Sequence, residues 1–439
     1  GLHRIARVLD SEGMKRPVAL FQNATIPGQG EIAWNEDEAP SSLVCGETNV
    51  AVQVVEDGFG RRLVFEVPQE ALGAVAVADL SDQPPSTRKR LKAGNRRIEN
   101  GDFSVRFDPH GNISSITSLD DRPVEFIEPG KLANVFQIFD DKPLFWSAWD
   151  LDVFAYETKK DLVKSESFEI VERGPVRVAA EIVKTFGAST IRQRISLGPT
   201  PGIRFDTEID WHEEDKLLKV AFPVNVNSPK ATYEIQFGNV ERPTHMNTSW
   251  DMARFEVCAQ KWADLSEGGH GVALLNDGKY GHDIHGNVMR LSLLRAPKAP
   301  DPHCDMGIHR FTYVLLPHFD QIQHADVVAA AYAVNAPLRW AFIEPSPGQE
   351  GELPRFVGVE NRNLVVEAVK KAEDSSNLVV RLYECHNTRG TAELTCARPV
   401  RAAWLADLNE RPIKDLEIID GLVVFDFKPF EIVTILLQV

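Results

Sequence analysis

The sequence predicts a mainly β protein made of β-sandwich domains, with an enlarged central double-sheet sandwich and very little helix. Short β-branched or alternating apolar runs recur along the chain, for example at residues 18–21, 103–107, 176–183 and 379–383. Glycine, proline, asparagine and aspartate punctuate these runs, which is typical of strands joined by turns. No stretch of about 250 residues alternates strand and helix patterns, so a complete eight-stranded α/β barrel is not predicted.

Helix signals are confined to two places, while strand signals fill the rest of the chain. Residues 2–9 resemble the end of a helix that the polar run 10–13 would terminate, and residues 325–333 are the other helical candidate. Residues 422–439 are typical of two closing strands on either side of the Lys-Pro pair at 428–429. So many strands and so few helices favour sandwiches over a βα repeat.

Two shifts in composition predict the domain boundaries. Residues 81–90 are polar and proline-rich, and residues 344–354 hold three prolines without an apolar period, so both are typical of linkers. We therefore expect a helical tail with a small β-sandwich at 1–90, a large β super-sandwich at 91–342 and a C-terminal β-sandwich at 343–439.

Charge and cysteine usage exclude several function classes. The chain of 439 residues carries 64 acidic and 48 basic side chains, a formal charge of −16, so nucleic acid and anionic membranes are not expected as partners. The basic cluster at 88–90 is more typical of a solvated connector than of a binding patch. No apolar run is long enough for a transmembrane helix, and the first residues lack a signal-peptide core. Five cysteines without a CxxC pair predict a cytoplasmic protein.

Short polar motifs offer only weak candidates for catalysis or metal binding. His-x-Asp, a spacing that can ligate zinc from one strand end, occurs at His303/Asp305, His318/Asp320 and His324/Asp326. Pro317 is expected to end the strand just before His318, and loop histidines or helix-capping aspartates explain all three pairs as well. Paired carboxylates of the kind glycosidases use occur at Asp140/Asp141, Asp150/Asp152 and Glu213–Asp215, where ordinary turns also explain them. The pair His282 and His285 is predicted to flank a hairpin turn with Gly286 and Asn287 at its tip.

The densest polar segment is residues 242–256. Tryptophan faces can pack on a sugar ring while arginine, asparagine and aspartate bond hydroxyls, which makes this segment a candidate sugar-lining loop. The candidate residues are Arg242, His245, Asn247, Trp250, Asp251 and Arg254. The alternative is a structural loop in which Trp250 plugs the sandwich and Arg254 pairs with Asp251.

Longer motifs around this segment resemble a known family. They include ATYEIQFG at 231–238, RPTH at 242–245, NTSWD at 247–251, ARFE at 253–256, WADLSE at 262–267, GVALLND at 271–277, KYG at 279–281, LSLLRAP at 291–297, FTY at 311–313 and, upstream, NG at 100–101, VRFDP at 105–109 and WSAWD at 146–150. In these motifs the sequence is similar to the C-terminal half of family 38 glycoside hydrolases, the α-mannosidases, and most similar to the cytosolic type. The resemblance is strong across residues 98–335 and weaker at both ends.

The resemblance implies a β-rich portion without the catalytic barrel. Family members place an α/β barrel, with a zinc ion and an aspartate nucleophile for a retaining mechanism, before these β-domains. No segment of this sequence resembles that barrel, and its His-x-Asp pairs do not match the family's zinc-binding pair. We therefore transfer no catalytic or metal-binding residue, and we expect zinc or another divalent metal only in the missing catalytic domain.

The expected role is to brace that barrel, to line the rim of its pocket for a mannose-containing oligosaccharide, and to be inactive alone. The six residues of the 242–256 segment are the first candidates for the rim; Trp146, Trp149 and Asp150 are the second. The surface that should meet the barrel would be exposed in this chain, so self-association or a partner chain is plausible.

Two other hypotheses stay open at this point. The first is a free-standing carbohydrate-binding β-protein, which would bind sugar without any barrel. The second is an enzyme of the mutarotase or lyase kind, because enlarged double sheets also host such sites. That enzyme would need a histidine and a carboxylate converging in the concave sheet, for which His212 and Glu213 are the nearest candidates by sequence.

Overall fold

The computed structural model describes residue 5 and residues 8–86, 90–348 and 352–439. In this part of the chain the fold is mainly β, which confirms the predicted class. The α-helices described are α1, Ser249–Met252, and α2, Val327–Asn335, and single 3₁₀ turns lie at Gln69–Ala71 and Val153–Thr158. Helix α2 confirms the predicted helix at 325–333. Most of the predicted helix at 2–9 lies outside the described residues.

The first sandwich is built from six strands of the N-terminal segment. They are β1 Pro17–Phe21, β2 Gln29–Ala33, β3 Ser42–Cys45, β4 Thr48–Asp57, β5 Gly60–Glu66 and β6 Val75–Ser81. The sheet order is β2-β5-β4-β3-β6-β1, and Trp34 and Phe65 are buried in its core. Two later strands, β26 Arg339–Phe342 and β27 Glu352–Leu353, pair with β1 and β6 respectively. Residues on both sides of position 343, where the sequence predicts a domain boundary, therefore pair with strands of the first sandwich.

The central region contains three sheets. Its strands are β7 Lys92–Gly94, β8 Arg97–Glu99, β9 Phe103–Phe107, β10 Ile113–Ser118, β11 Val135–Asp140, β12 Lys160–Leu162, β13 Ser167–Arg173, β14 Val178–Phe186, β15 Ser189–Leu197, β16 Ile203–Trp211, β17 Lys216–Pro223, β18 Lys230–Ile235, β19 Gly238–Pro243, β20 Val257–Cys258, β21 Trp262–Ser266, β22 His270–Asn276, β23 Gly281–His285, β24 Val288–Arg295 and β25 Gly307–Phe319. The sheet orders are β10-β9-β8-β7, β12-β11-β17-β24-β23-β20 and β13-β14-β15-β16-β25-β22-β21-β18-β19.

The six-stranded and nine-stranded sheets face each other across the largest apolar core. Phe205 and Tyr313 of the nine-stranded sheet stack with ring centroids 4.8 Å apart, and Phe222 of the six-stranded sheet meets Phe205 edge-on at 5.6 Å. The core residues that the two sheets turn towards each other are apolar and buried, as in other two-sheet sandwiches. This pair of sheets is the enlarged central sandwich that the sequence predicts.

The C-terminal region forms a second small sandwich. Its strands are β28 Val357–Val359, β29 Leu364–Lys371, β30 Leu378–Glu384, β31 Gly390–Cys396, β32 Ala402–Ala406, β33 Pro412–Asp415, β34 Glu417–Ile419, β35 Leu422–Phe427 and β36 Ile432–Gln438. They form sheets of order β28-β31-β35-β34 and β29-β30-β36-β32-β33. Strands β35 and β36 confirm the two predicted closing strands. Helix α2 fills the space between this sandwich and the nine-stranded sheet, packing in one cluster with Trp262 and Tyr383.

A buried polar network joins the first sandwich to the nine-stranded sheet. The fully buried Arg177 donates to both carboxylate oxygens of Glu172, at 2.7 and 2.8 Å. Gln53 of β4 donates to Glu172 at 2.8 Å and accepts the backbone N–H groups of Val176 and Arg177 at 3.0 Å. Burial alone would lower the pKa of Arg177, but Glu172 outweighs it, so the pKa is raised and the guanidinium stays charged. The network fixes one register between the two sandwiches.

Candidate functional site: two exposed aromatic segments joined by a buried ion network

The segment 242–256 leaves β19 and turns back through the short helix α1. Thr248 caps this helix: its hydroxyl accepts the Asp251 N–H at 3.2 Å, and the Asp251 carboxylate accepts the Thr248 N–H at 3.2 Å. This capping box holds Trp250 outward with 75% of its surface exposed, so Trp250 does not plug the sandwich. His245 Nδ1 lies 3.7 Å from the same Asp251 carboxylate.

The six candidate residues of this segment divide into two groups. Arg242, Asp251 and Arg254 line one crevice of about 10 Å³, room for about one water molecule. Arg242 lies over the Tyr233 ring with its guanidinium carbon 5.9 Å from the centroid. His245, Asn247 and Trp250 are exposed outside this crevice. The crevice is too small for a sugar, so these residues could contact one only at the open surface.

The second exposed segment, 144–154, follows β11. Its large apolar side chains are each between 61% and 76% exposed, and they are Leu144, Phe145, Trp146, Trp149 and Phe154. We call these five residues the aromatic patch. The rings of Trp146 and Trp149 meet edge-on at 6.2 Å, and the nearby Asp150 is also exposed.

A half-buried arginine, Arg295, holds the turn that presents this patch. Arg295 binds the buried Asp141 through two nitrogens, at 2.6 and 2.9 Å. The same guanidinium donates to the backbone carbonyls of Ser147 at 3.1 Å and Asp150 at 2.6 Å. Because a bidentate arginine–carboxylate pair is geometrically rigid, the exposed tryptophans are held in place before any partner binds.

A second buried cluster links the two exposed segments. We call Lys219, Tyr156, Glu256 and Asp283 the buried ion network. The Lys219 ammonium is fully buried, lies 2.6 Å from Asp283 Oδ2 and 2.8 Å from the Tyr156 oxygen, and forms an ion pair with Glu256. Tyr156 follows the aromatic patch, and its hydroxyl lies 2.8 Å from oxygens of both Glu256 and Asp283. Its ring also meets that of Phe255 at 5.6 Å, so the ends of both segments are fastened together.

Burial and neighbouring charges shift the pKa values of Asp283, Tyr156 and the adjacent His282. Burial alone would raise the pKa of Asp283, but Lys219 and Arg290 outweigh it and hold that pKa at about 2. Burial together with the negative charges of Glu256 and Asp283 raises the pKa of the Tyr156 hydroxyl far above its usual range. Burial lowers the pKa of the neighbouring His282 to about 4, so its ring is neutral at pH 7. Asp283 therefore stays ionised, and the Tyr156 hydroxyl and the His282 ring stay neutral, across the physiological range.

The weaker sequence candidates have structural partners. His318 contacts Asp264 at 2.7 Å rather than Asp320, and β25 continues through Pro317 to Phe319, so the expectation that this proline ends the strand is wrong. Asp326 pairs with Arg362 at 3.0 Å. Among the residues that the structure describes, no group of three or more histidine, cysteine, aspartate or glutamate side chains is placed to hold a metal ion.

Several of the paired carboxylates and histidines also bond within the fold. Asp140 pairs with Lys216, and Asp152 accepts the Leu144 N–H at 2.9 Å. Glu213 accepts bonds from the Ala188 N–H and the Ser189 hydroxyl at 2.9 Å, while His212 lies 2.8 Å from Asp210. Strands β23 and β24 form the hairpin predicted between His285 and Val288, with Gly286 in the left-handed region at φ +60°.

Sequence reasoning missed the buried ion network and the Arg295–Asp141 pair. A usable signal exists for Lys219, because it is the one charged residue within the apolar run of residues 217–222 in β17. A lone lysine in such a run predicts a buried cation that needs a carboxylate partner. The partner cannot be read from the sequence, since Asp283 is 64 positions away.

Comparison with known proteins shows which family the chain resembles. The family model described as "Glycosyl hydrolases family 38 C-terminal domain" matches residues 98–303, and the one described as "Glycosyl hydrolases family 38 C-terminal beta sandwich domain" matches residues 363–435. Alpha-mannosidase 2C1 of Homo sapiens is 43% identical over 352 residues, which cover 78% of this chain and 34% of the relative. Alpha-mannosidase G of Dictyostelium discoideum is 38% identical over 317 residues, covering 70% and 29% respectively.

Solved structures agree on the fold. A glycosyl hydrolase family 38 protein from Enterococcus faecalis superposes with a TM-score of 0.77 at 15% identity, covering 99% of this chain and 60% of that one. The chain spans about a third of the length of the curated relatives named above. No helix among the described residues is long and apolar enough to cross a membrane. On the two family models and the identity to these mannosidases, the chain belongs to glycoside hydrolase family 38, as the β-rich C-terminal region of that family.

Proposed function

We propose that this chain is the C-terminal β-domain portion of a retaining α-mannosidase that acts on mannose-containing oligosaccharides in the cytoplasm. Its role is to brace the catalytic α/β barrel and to line the rim of the barrel's pocket. The observation that carries the proposal is the aromatic patch, five large apolar side chains left in solvent on a turn that Arg295 and Asp141 hold rigid. Exposed apolar surface on a preorganised turn is typical of a docking site.

The barrel is the partner that fits this patch best. The relatives named above are about three times as long as the matched region, so they have further chain to pack against it. The buried ion network fastens the patch to the 242–256 segment, which carries Trp250 and the polar side chains suited to hydroxyl groups. In this arrangement the patch faces the barrel, and Trp250, His245 and Asn247 reach the edge of its pocket.

Catalysis is assigned to the barrel. A retaining glycosidase needs two carboxyl groups about 5–5.5 Å apart across the sugar. Four of the carboxylates that the sequence singled out are engaged with lysine, arginine, backbone or hydroxyl groups of the fold: Asp140, Asp141, Asp152 and Glu213. The described residues also offer no cluster suited to zinc, so the proposal leaves the metal to the catalytic domain and expects the chain alone to be inactive.

The test is reconstitution. The chain would be mixed with the N-terminal portion of the human relative, and hydrolysis of an aryl α-mannoside would be followed. A Phe145→Ser/Trp149→Ser variant should lose most of the association and of the restored activity. The matched control, Leu408→Ser, removes an apolar side chain that is 60% exposed elsewhere and should behave as wild type. Equal behaviour of the two variants would contradict the docking role of the patch.

The alternative is a free-standing carbohydrate-binding protein, favoured by the exposed rings of Trp146, Trp149 and Trp250. Calorimetric titration of the isolated chain with a manno-oligosaccharide separates the two functions. Saturable binding that Trp250→Ala removes, without any barrel present, would support the alternative. No binding to the isolated chain would support the bracing role.

A further inference from the structure

A second surface, lined by none of the aromatic-patch residues, has the features of a ligand site. It is an open groove of about 620 Å³ on the outer face of the small sheet formed by β7, β8, β9 and β10. The charged side chains that line it are Lys92, Arg96, Arg97, Glu99 and Arg106. Its volume lies within the range of small-molecule sites.

Strand register places the cations on one face. Arg97 of β8 lies directly opposite Arg106 of β9, and Lys92 lies opposite Glu99. The intervening residues Ile98 and Val105 point the other way into the central core. Two like charges directly opposite each other in a sheet disfavour folding. Core packing does not explain this arginine pair, because both side chains lie on the face away from the core.

The charges of the groove are not balanced from within. Glu99 is its one lining carboxylate; it is buried and pairs with Lys92 at 3.0 Å and with Arg97. The structure gives Arg96 and Arg106 no ion-pair partner among the described residues. A further guanidinium, that of Arg173, donates to the Ala93 carbonyl at 2.6 Å beside the groove floor. The groove is therefore locally positive, although the whole chain has a formal charge of −16.

The groove floor leaves room for a ligand between these cations. Gly94 lies on the same face as Arg97, its φ is +155°, and a β-carbon there would have the Arg173 Nη1 3.8 Å away. With no side chain at this position, the face between Lys92 and Arg97 stays open.

We propose that this groove binds a small molecule bearing a phosphate or sulfate group, held between Arg106, Arg97 and Arg96. Arginine guanidinium groups match the oxygens of such anions in a bidentate manner, and an anion between Arg97 and Arg106 relieves their repulsion. A long polyanion fits less well, because the formal charge of −16 on the whole chain repels it. The proposal is independent of the mannosidase assignment, since it concerns neither the aromatic patch nor the 242–256 segment.

The test uses the whole chain in a phosphate-free buffer of low ionic strength. Inorganic phosphate and glucose 6-phosphate are titrated calorimetrically, with glucose as the uncharged control; the comparison distinguishes a free-phosphate site from a sugar-phosphate site. The proposal expects saturable binding of at least one anion, none of glucose, and weaker binding as sodium chloride rises. Absence of saturable binding of both anions would overturn it.

Variants locate the site. Arg106→Gln and Arg96→Gln should each weaken binding at least about tenfold, the loss expected for one charge-assisted contact. Arg398→Gln, an exposed arginine of the C-terminal sandwich, is the matched control and should bind as wild type. Arg96 and Arg106 have no ion pair to lose among the described residues, so without anion the urea midpoint of each variant should equal that of the wild type or lie slightly above it. Equal weakening by Arg398→Gln would show a diffuse charge effect and overturn the site.

Discussion

Replacing Lys219 with methionine is expected to destabilise the chain by about 3 kcal/mol, because it removes the cation at the centre of the buried ion network. Methionine keeps most of the side-chain length, so the cost is mainly electrostatic. The change leaves the fully buried Asp283 with Arg290, at 2.7 Å, as its one remaining cation, and leaves Glu256 without its ion-pair partner. Removing one partner of a buried pair costs about 3–5 kcal/mol, and the surviving Arg290 contact places this case at the lower end.

Urea denaturation followed by circular dichroism measures this loss against a matched control. Lys230→Met breaks an ion pair of similar length, 2.7 Å to Glu241, in which both side chains are more than half exposed, so it should cost under about 1 kcal/mol. Adding Asp283→Asn to Lys219→Met should recover part of the loss, giving a coupling free energy of about 1–3 kcal/mol. A cost for Lys219→Met no larger than that for Lys230→Met would refute the reasoning.

Three further changes probe other parts of the account. His282→Leu should flatten the pH dependence of the unfolding free energy between pH 6.5 and about 4. The pKa of His282 is lower in the folded chain than in the unfolded chain, so the wild type loses about 3 kcal/mol of stability as the pH falls through that window. Urea midpoints at several pH values measure this loss in the wild type and in the variant. Arg177→Met should cost about 3 kcal/mol in urea denaturation, because the buried Glu172 keeps only the longer 3.2 Å contact with Arg194 among the described cations. A loss below about 1 kcal/mol would show that the network between the sandwiches is dispensable. Gly202→Ala should lower the melting temperature by several degrees, since φ is +79° and the new β-carbon would lie 2.5 Å from the Leu315 carbonyl oxygen; an unchanged melting temperature would contradict this.

The fold class was predictable because its physical basis is local. A strand with one buried face repeats every two residues, and that period is visible in single segments such as β9 and β35. Sheet order is not local: β16 pairs with β25 about 100 residues later, and β1 pairs with β26 across more than 300. These pairings are decided by which apolar faces fit together, so neither the return of β26 to the first sandwich nor the strand inside the predicted linker at 344–354 could be read from the sequence.

The candidate site was predictable only in part, for a related reason. The density of aromatic and polar residues marked the 242–256 segment, and the family resemblance marked the tryptophans at 146 and 149. Both segments lie at the surface. The groups that hold them in place, Lys219 with Asp283 and Arg295 with Asp141, come from four different strands or strand ends. A charge in a buried strand predicts that a partner exists, while the partner's identity depends on sheet register. The use of Asp264 rather than Asp320 by His318 illustrates the same limit.

Hydrolysis of a chromogenic α-mannoside by this purified, folded chain, with and without added zinc or cobalt, tests whether the β-domains alone can catalyse. We expect no turnover above background under any of these conditions, because the proposed function assigns both catalytic carboxyl groups and the metal to a separate barrel. Metal-dependent turnover by the chain alone, abolished when His318 is replaced by alanine, would contradict it and would return catalysis to the β-domains.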